Sequence, residues 1–260
     1  MAFPDRNAQM RYGSVAPDRA ADIDQGLRSY MLKVYNYMAI GLVVTGLAAI
    51  GAFSAAVTTD PSNAVAQAGN ILLTGFGAAI FTSPLRWVIM FAPLIAVLFL
   101  SFRIHRMSVG AAQALFWGYS ALVGLSLSSI FLVYTGQSVA QVFFVTAASF
   151  GALSLYGYTT RRDLSAFGSF LIMGLFGIVI ASIVNIFLQS SALGFAVSAI
   201  GVLVFAGLTA YDTQRIKEMY FEGDDYATTG RKAIMGALQL YLDFINMFVM
   251  LLQLFGQQRD

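Results

Sequence analysis

The chain has 260 residues, of which 58% are hydrophobic and only 11% charged, against roughly a quarter charged in a soluble globular protein, so a cytosolic enzyme is excluded. Its 24 Gly, 11 Met and 22 Phe suit neither a disordered nor a collagen-like chain, but they supply the small residues that membrane helices use at their contacts. The absence of cysteine removes disulfides, thiolate nucleophiles, iron–sulfur clusters and cysteine-ligated zinc, and a net charge of +2 makes no case for nucleic acid as a partner.

In chain order, residues 1–30 carry Asp5, Arg6, Arg11, Pro17, Asp18, Arg19, Asp22, Asp24 and Arg28, with no apolar signal-peptide core, and read as a polar cytoplasmic N-terminal tail. Seven apolar runs follow, at 32–57, 87–102, 109–133, 139–158, 166–188, 193–211 and 233–255. Helices of such runs rise 1.5 Å per residue and are suited to crossing a hydrocarbon core of roughly 30 Å. Lys33, early in the first run, can snorkel to the interface. Continuous apolar runs without two-residue alternation select helices over a barrel. The expected fold is therefore an all-α integral membrane protein, with a seven-transmembrane-helix domain over 31–256 and a short C-terminal tail at 257–260.

The stretch 71–81 is apolar but too short for a span, and reads as a re-entrant or interfacial piece. Charge placement supports that reading. Of the 15 Lys and Arg, 13 fall in the N-terminal tail and the alternate connections that hold Arg103 and Arg106, Arg161 and Arg162, and Arg215, Lys217, Arg231 and Lys232; two fall elsewhere. This bias predicts a cytoplasmic N-terminus and an outside C-terminus, and an eighth span at 71–81 would destroy it.

Most of the 13 acidic residues lie in tails or connections. Asp212 instead ends the sixth run, and Asp243 sits deep in the seventh, where an uncompensated carboxylate costs on the order of 2.5–3.5 kcal/mol. Each is either a functional residue or a polar contact between packed helices. Gly236, Gln239, Asp243, Asn246, Met250 and Gln253 recur at helical spacing and share one face. Leu240, Phe244, Ile245, Phe248, Leu251 and Leu252 give the rest of the seventh helix a lipid-like surface. A polar stripe of this kind must face protein or water, so it is either a set of interhelical hydrogen bonds or a hydrophilic path through Gln239, Asn246 and Gln253.

Several polytopic functions are missing their residues. The seventh run has no mid-span Lys for a retinal Schiff base. His105, the single histidine, gives neither a zinc pair nor a bis-histidine haem site nor the deep base of a serine protease. No Gly-rich loop ends in Lys-Ser or Lys-Thr. Ion or proton handling, solute transport or a non-catalytic membrane partnership remain, and no cofactor is expected.

The stretches AYDTQ at 210–214 and LYLDFINMF at 240–248 resemble the paired-aspartate motif of the Bax inhibitor-1 family, also called the transmembrane Bax inhibitor motif family. GLSLSSIFLVY at 124–134 and YGYTTRRDLSAFGSFLIMGL at 156–175 are similar to its bacterial members in particular, and the likeness extends over 31–256. The resemblance implies a multi-pass protein of the bacterial inner membrane, with the last helix central and enclosed by the other six, acting as a pH-sensitive calcium leak or channel. It also implies that Asp212 and Asp243 form a hydrogen-bonded proton-sensing pair, contacted by an arginine that matches Arg106, with Arg103 as the competing register. The acidic residue that some relatives carry in the second helix has no counterpart in 87–102. Some bacterial relatives are instead modulators of a membrane-anchored ATP-dependent protease, for which the N-terminal tail would be the handle.

Two carboxyls close together in a poorly solvated bundle cannot both ionise cheaply, so they are expected to share a proton. Sharing it ties helix six to helix seven, and losing it leaves an oxygen-rich site suited to Ca²⁺ in transit. The expected partners are therefore the lipid bilayer, calcium ions and protons, with the protease as the alternative.

Overall fold

The computed structural model describes residues 6–259 of the backbone; side chains are described from residue 25 onward, His105 excepted. The expected polar tail lies largely outside the described side chains. The chain forms α1 (Arg6–Ala56), β1 (Val57–Thr58), β2 (Ala66–Ala68), β3 (Ile71–Leu73), α2 (Gly75–Phe81), α3 (Leu85–Arg103), α4 (Val109–Leu127), α5 (Ile130–Val133), α6 (Gly136–Thr159), α7 (Ser165–Leu188), α8 (Ser191–Glu218) and α9 (Tyr226–Phe255). Seven segments are long and apolar enough to cross a membrane: Gln25–Ala56 of α1, α3, Val109–Val133, α6, α7, α8 and α9. They match the seven apolar runs, because a helix satisfies every backbone group within itself and needs no partner in lipid. The protein is an all-α, seven-span membrane bundle.

Local signals set the ends of the spans. Ser108, Thr135, Ser190 and Asp225 sit just before α4, α6, α8 and α9, and each accepts a hydrogen bond from the backbone N–H three residues on, which satisfies one of the donors a helix start leaves over. The third run is interrupted: α4 ends at Ser128, whose hydroxyl donates to the Leu125 carbonyl at 2.6 Å, and α5 adds one further turn. The short stretch at 71–81 is not a span. It pairs as β3 between β1 and β2, antiparallel to both, and then turns into α2. The β2–β3 turn passes through Gly69 at φ 58°, a left-handed conformation that glycine adopts freely. Gly77 brings α2 against the end of α1, since a Cβ there would run into the Ala56 carbonyl. Alternation over so few residues is hard to tell from a short helix, so no residue pattern marked this small sheet in advance.

α9 is the core of the bundle, packed directly by α1, α4, α6 and α8. α3 leans on α4 and α7 on α8, so these two form an outer layer and do not enclose α9. This corrects the reading of the seventh helix as lipid-like outside its polar stripe: Leu240, Phe244, Leu251 and Leu252 are buried against neighbouring helices, and Tyr241 bonds Thr45 Oγ1 at 2.6 Å. Apolarity alone cannot tell a lipid contact from a protein contact, because lipid tails are as apolar as leucine. Close approach is achieved where glycines face backbone, as at Gly124 over the Thr45 carbonyl and Gly157 over the Ala210 carbonyl.

The basic connections meet at one end. Lys217 donates to the Tyr158 carbonyl at 2.8 Å, Gln214 bridges Leu164 N and the Arg162 carbonyl, and Lys232 joins the Met219 carbonyl and Asp224. At the opposite end, Gln257 N donates to Ser138 Oγ at 2.8 Å and Arg259 N to the Val133 carbonyl at 2.8 Å.

Candidate functional site

α8 brings Asp212, and α9 Asp243, to the extensive contact that these two helices make along the bundle. Small residues allow it. A Cβ at Gly201 would meet the Met250 thioether, and one at Gly236 would meet Ile216, so both helices give up side-chain volume where they cross. Asp212 and Asp243 are each only 5% exposed, and their carboxyls are close enough to act on one another directly. Gln239, one turn before Asp243 on α9, lines the same cavity beside Asp212. Asp243 Oδ2 is buried with no hydrogen-bond partner among the described residues. A buried, unpaired carboxyl oxygen is costly unless it carries a proton or meets water or an ion.

The pair opens onto a cavity of about 560 Å³ between α7, α8 and α9. Its polar lining is Asp212, Arg215, Gln239, Asp243, Asn246 and Ser182, and its apolar wall comes mainly from α7, through Ile172, Leu175, Ile178 and Val179. From Gln239 to Met250 the lining covers 12 residues of α9, a rise of about 17 Å at 1.5 Å per step, which is roughly half of a hydrocarbon core. At the far end of the cavity Met250 fills the space beside Gly201, and beyond it Ser198 Oγ donates to Gln253 Oε1 at 2.6 Å.

Of the residues singled out in the sequence, Asp212, Asp243, Gln239 and Asn246 therefore share one cavity. Asn246 uses its amide nitrogen on the Leu242 carbonyl at 2.8 Å. Gln253 lies past the cavity at the far end and is exposed. Arg106 and Arg103 are exposed at the basic end of the bundle and do not line the cavity. The arginine that does is Arg215, whose charge acts on Asp212 from one turn along α8. The sequence held a sign of this, since Arg215 lies at i+3 from Asp212 and so on the same helix face, but the charge asymmetry already accounted for Arg215. Ser182 and the α7 wall had no sequence signal, because α7 is apolar all round.

Among the described residues no group of three or more His, Asp or Glu gathers. Two carboxylates with amide and hydroxyl oxygens fall short of the six to eight ligands of a resident Ca²⁺ site, and Arg215 opposes a bound cation.

A seven-span helical bundle with a buried carboxyl pair in the wall of a cavity between α7, α8 and α9 is a polytopic membrane protein with its polar chemistry concentrated between two helices. The chain matches the family described as Inhibitor of apoptosis-promoting Bax1 over residues 27–260, and it belongs to that family, the Bax inhibitor-1 family. It is 48% identical to the inner membrane protein YbhL of Escherichia coli, over 90% of this chain and 94% of that one. It is 48% identical to a protein of Caulobacter vibrioides, over 95% and 96%, and 40% identical to one of Borreliella burgdorferi, over 89% and 93%.

Proposed function

We propose that the protein is a pH-sensitive calcium leak channel of the bacterial inner membrane, with its N-terminus in the cytoplasm and its C-terminus outside, gated by proton sharing between Asp212 and Asp243. The observation that carries this reading is the closeness of the two buried carboxyls in the wall of the α7–α8–α9 cavity. The inner membrane is supported by the name of the E. coli relative, and the orientation by the 13-to-2 distribution of Lys and Arg.

A carboxyl–carboxyl hydrogen bond needs one proton between the two groups, and that bond ties α8 to α9. Losing the proton leaves two anions that repel across the helix contact and offer oxygens to a cation. A second proton removes the charge-assisted bond as well. Arg215, one turn along α8 from Asp212, places a positive charge at the same cavity. Met250 and the Ser198–Gln253 bond are then the barrier that movement of α8 against α9 must release.

The test is Ca²⁺ flux into liposomes holding the purified full chain, followed across roughly pH 5.5–8. A pH-dependent flux is expected, flattened by Asp243→Asn and by Asp212→Asn, with little added in the double variant because the pair acts as a unit. A pH profile that survives both substitutions removes the pair from the mechanism. No flux at any pH would favour a role as partner of a membrane-anchored protease. Reporter fusions at residues 161 and 260 appearing on the same side would overturn the orientation.

A further inference from the structure

On the side of the bundle away from the carboxyl pair, α1 and α6 both pack on α9 but diverge from each other. They are tied by the hydrogen bond between Tyr35 Oη and Ser154 Oγ, at 2.7 Å. The gap holds two cavities of about 820 Å³ and 570 Å³ that share Ala39, Leu42 and Phe244 as lining, so they form one groove with α9 as its floor. Gly151 and Ala147 keep it wide, and a Cβ at Gly151 would meet nothing within 4 Å. Its rims, including Leu32, Leu155 and Phe144, are exposed, so the groove opens sideways toward the bilayer.

From Arg28 to Leu42 the larger section covers 15 residues of α1, a rise of about 21 Å, which matches one leaflet with its headgroup layer, half of roughly 40–45 Å. The charge is placed to match. Arg28 and Tyr158 line the headgroup end, and Lys217 lies over the Tyr158 ring, 5.5 Å from its centre, at the end of the bundle where the basic connections meet. The remaining lining is almost wholly apolar, with Met31, Leu32, Met38 and Phe150 along the chain path.

We infer that the α1–α6 groove is a binding site for one anionic phospholipid of the leaflet at the basic end, its headgroup at Arg28 and an acyl chain over Phe244. The occupant is a lipid and not a peptide, because the groove is open along its length to the hydrocarbon and carries its positive charge only at the headgroup level.

The test is native mass spectrometry of the full chain released from nanodiscs of equal phosphatidylglycerol and phosphatidylethanolamine. One phosphatidylglycerol per chain is expected to survive detergent stripping. Arg28→Gln should lower the preference for phosphatidylglycerol by about fivefold, the factor contributed by one basic side chain at an anionic membrane surface. Gly151→Leu, which fills the open space, should abolish retention, while Arg103→Gln, at the same end but away from the groove, should change nothing. Melting curves establish that each variant is folded, and if Arg28→Gln is not, Gly151→Leu decides. Equal retention of the two lipids, retention that survives Gly151→Leu, or a second copy of the chain in place of lipid would overturn the assignment.

Discussion

The crossing of α6 and α8 beside the carboxyl pair depends on one missing methyl group. Gly157 is buried, and a Cβ there would fall well inside contact distance of the Ala210 carbonyl oxygen, two residues before Asp212. The clash is with backbone, so no rotamer change relieves it; α6 must move away from α8 or α8 must bend. Overpacking of this kind costs roughly 1–3 kcal/mol, offset only in part by the gain of about 0.5–1 kcal/mol when alanine replaces glycine in a helix. At about 2–4 °C per kcal/mol for a chain of this size, Gly157→Ala should lower the melting temperature in detergent by roughly 2–8 °C. Gly151→Ala, six residues earlier on the same helix, meets open space and should leave it unchanged or raise it slightly. Thermal unfolding followed by circular dichroism gives both values from the same preparation. Equal shifts in the two variants, or stabilisation by Gly157→Ala, would show that the α6–α8 approach is not set by this glycine.

Cysteines introduced singly into this cysteine-free chain should react with water-soluble thiol reagents at 239 and 246, which line the cavity, and not at 240 or 244, which are packed against neighbouring helices; equal labelling of both sets would argue against a hydrated cavity. Arg215→Ala should move the midpoint of any pH-dependent flux, whereas Arg106→Ala and Arg103→Ala should leave it in place, because only Arg215 lines the cavity; a midpoint shift with Arg106→Ala alone would reverse that assignment. Outside the membrane, the Asp225 carboxyl caps α9 and is held below the usual carboxylate range, first by its hydrogen bond with Thr228. A lowered folded-state value means that its contribution is present above the unfolded value of about 3.9 and is lost as pH falls through the folded one. Asp225→Ala should therefore lower the melting temperature at pH 7 and make no difference once the wild-type carboxyl is protonated; a deficit that persists there would point to something other than the charged cap.

The number of spans and the two carboxyls inside or bordering the apolar runs were legible in the sequence, whereas α8 runs on to Glu218 and α9 begins at Tyr226, seven residues outside the apolar runs in each case. The legible features follow from one-dimensional quantities: the length of an apolar run against bilayer thickness, and the cost of a charge in lipid. The i, i+3, i+4 spacing also put Gln239, Asp243 and Asn246 on one face, and they do line one cavity. Tertiary structure decided the rest. Arg215, not Arg106 or Arg103, stands at the cavity, because which arginine reaches a site depends on the helix that carries it and on how that helix is rotated. Leu240, Phe244 and Leu251 proved to be buried and Gln253 to lie beyond the cavity, since in a membrane protein the same apolar side chain serves equally against lipid and against another helix. The gap between α1 and α6, and the cavity wall supplied by α7, arise where two helices fail to touch, and no pattern within a single helix records that separation.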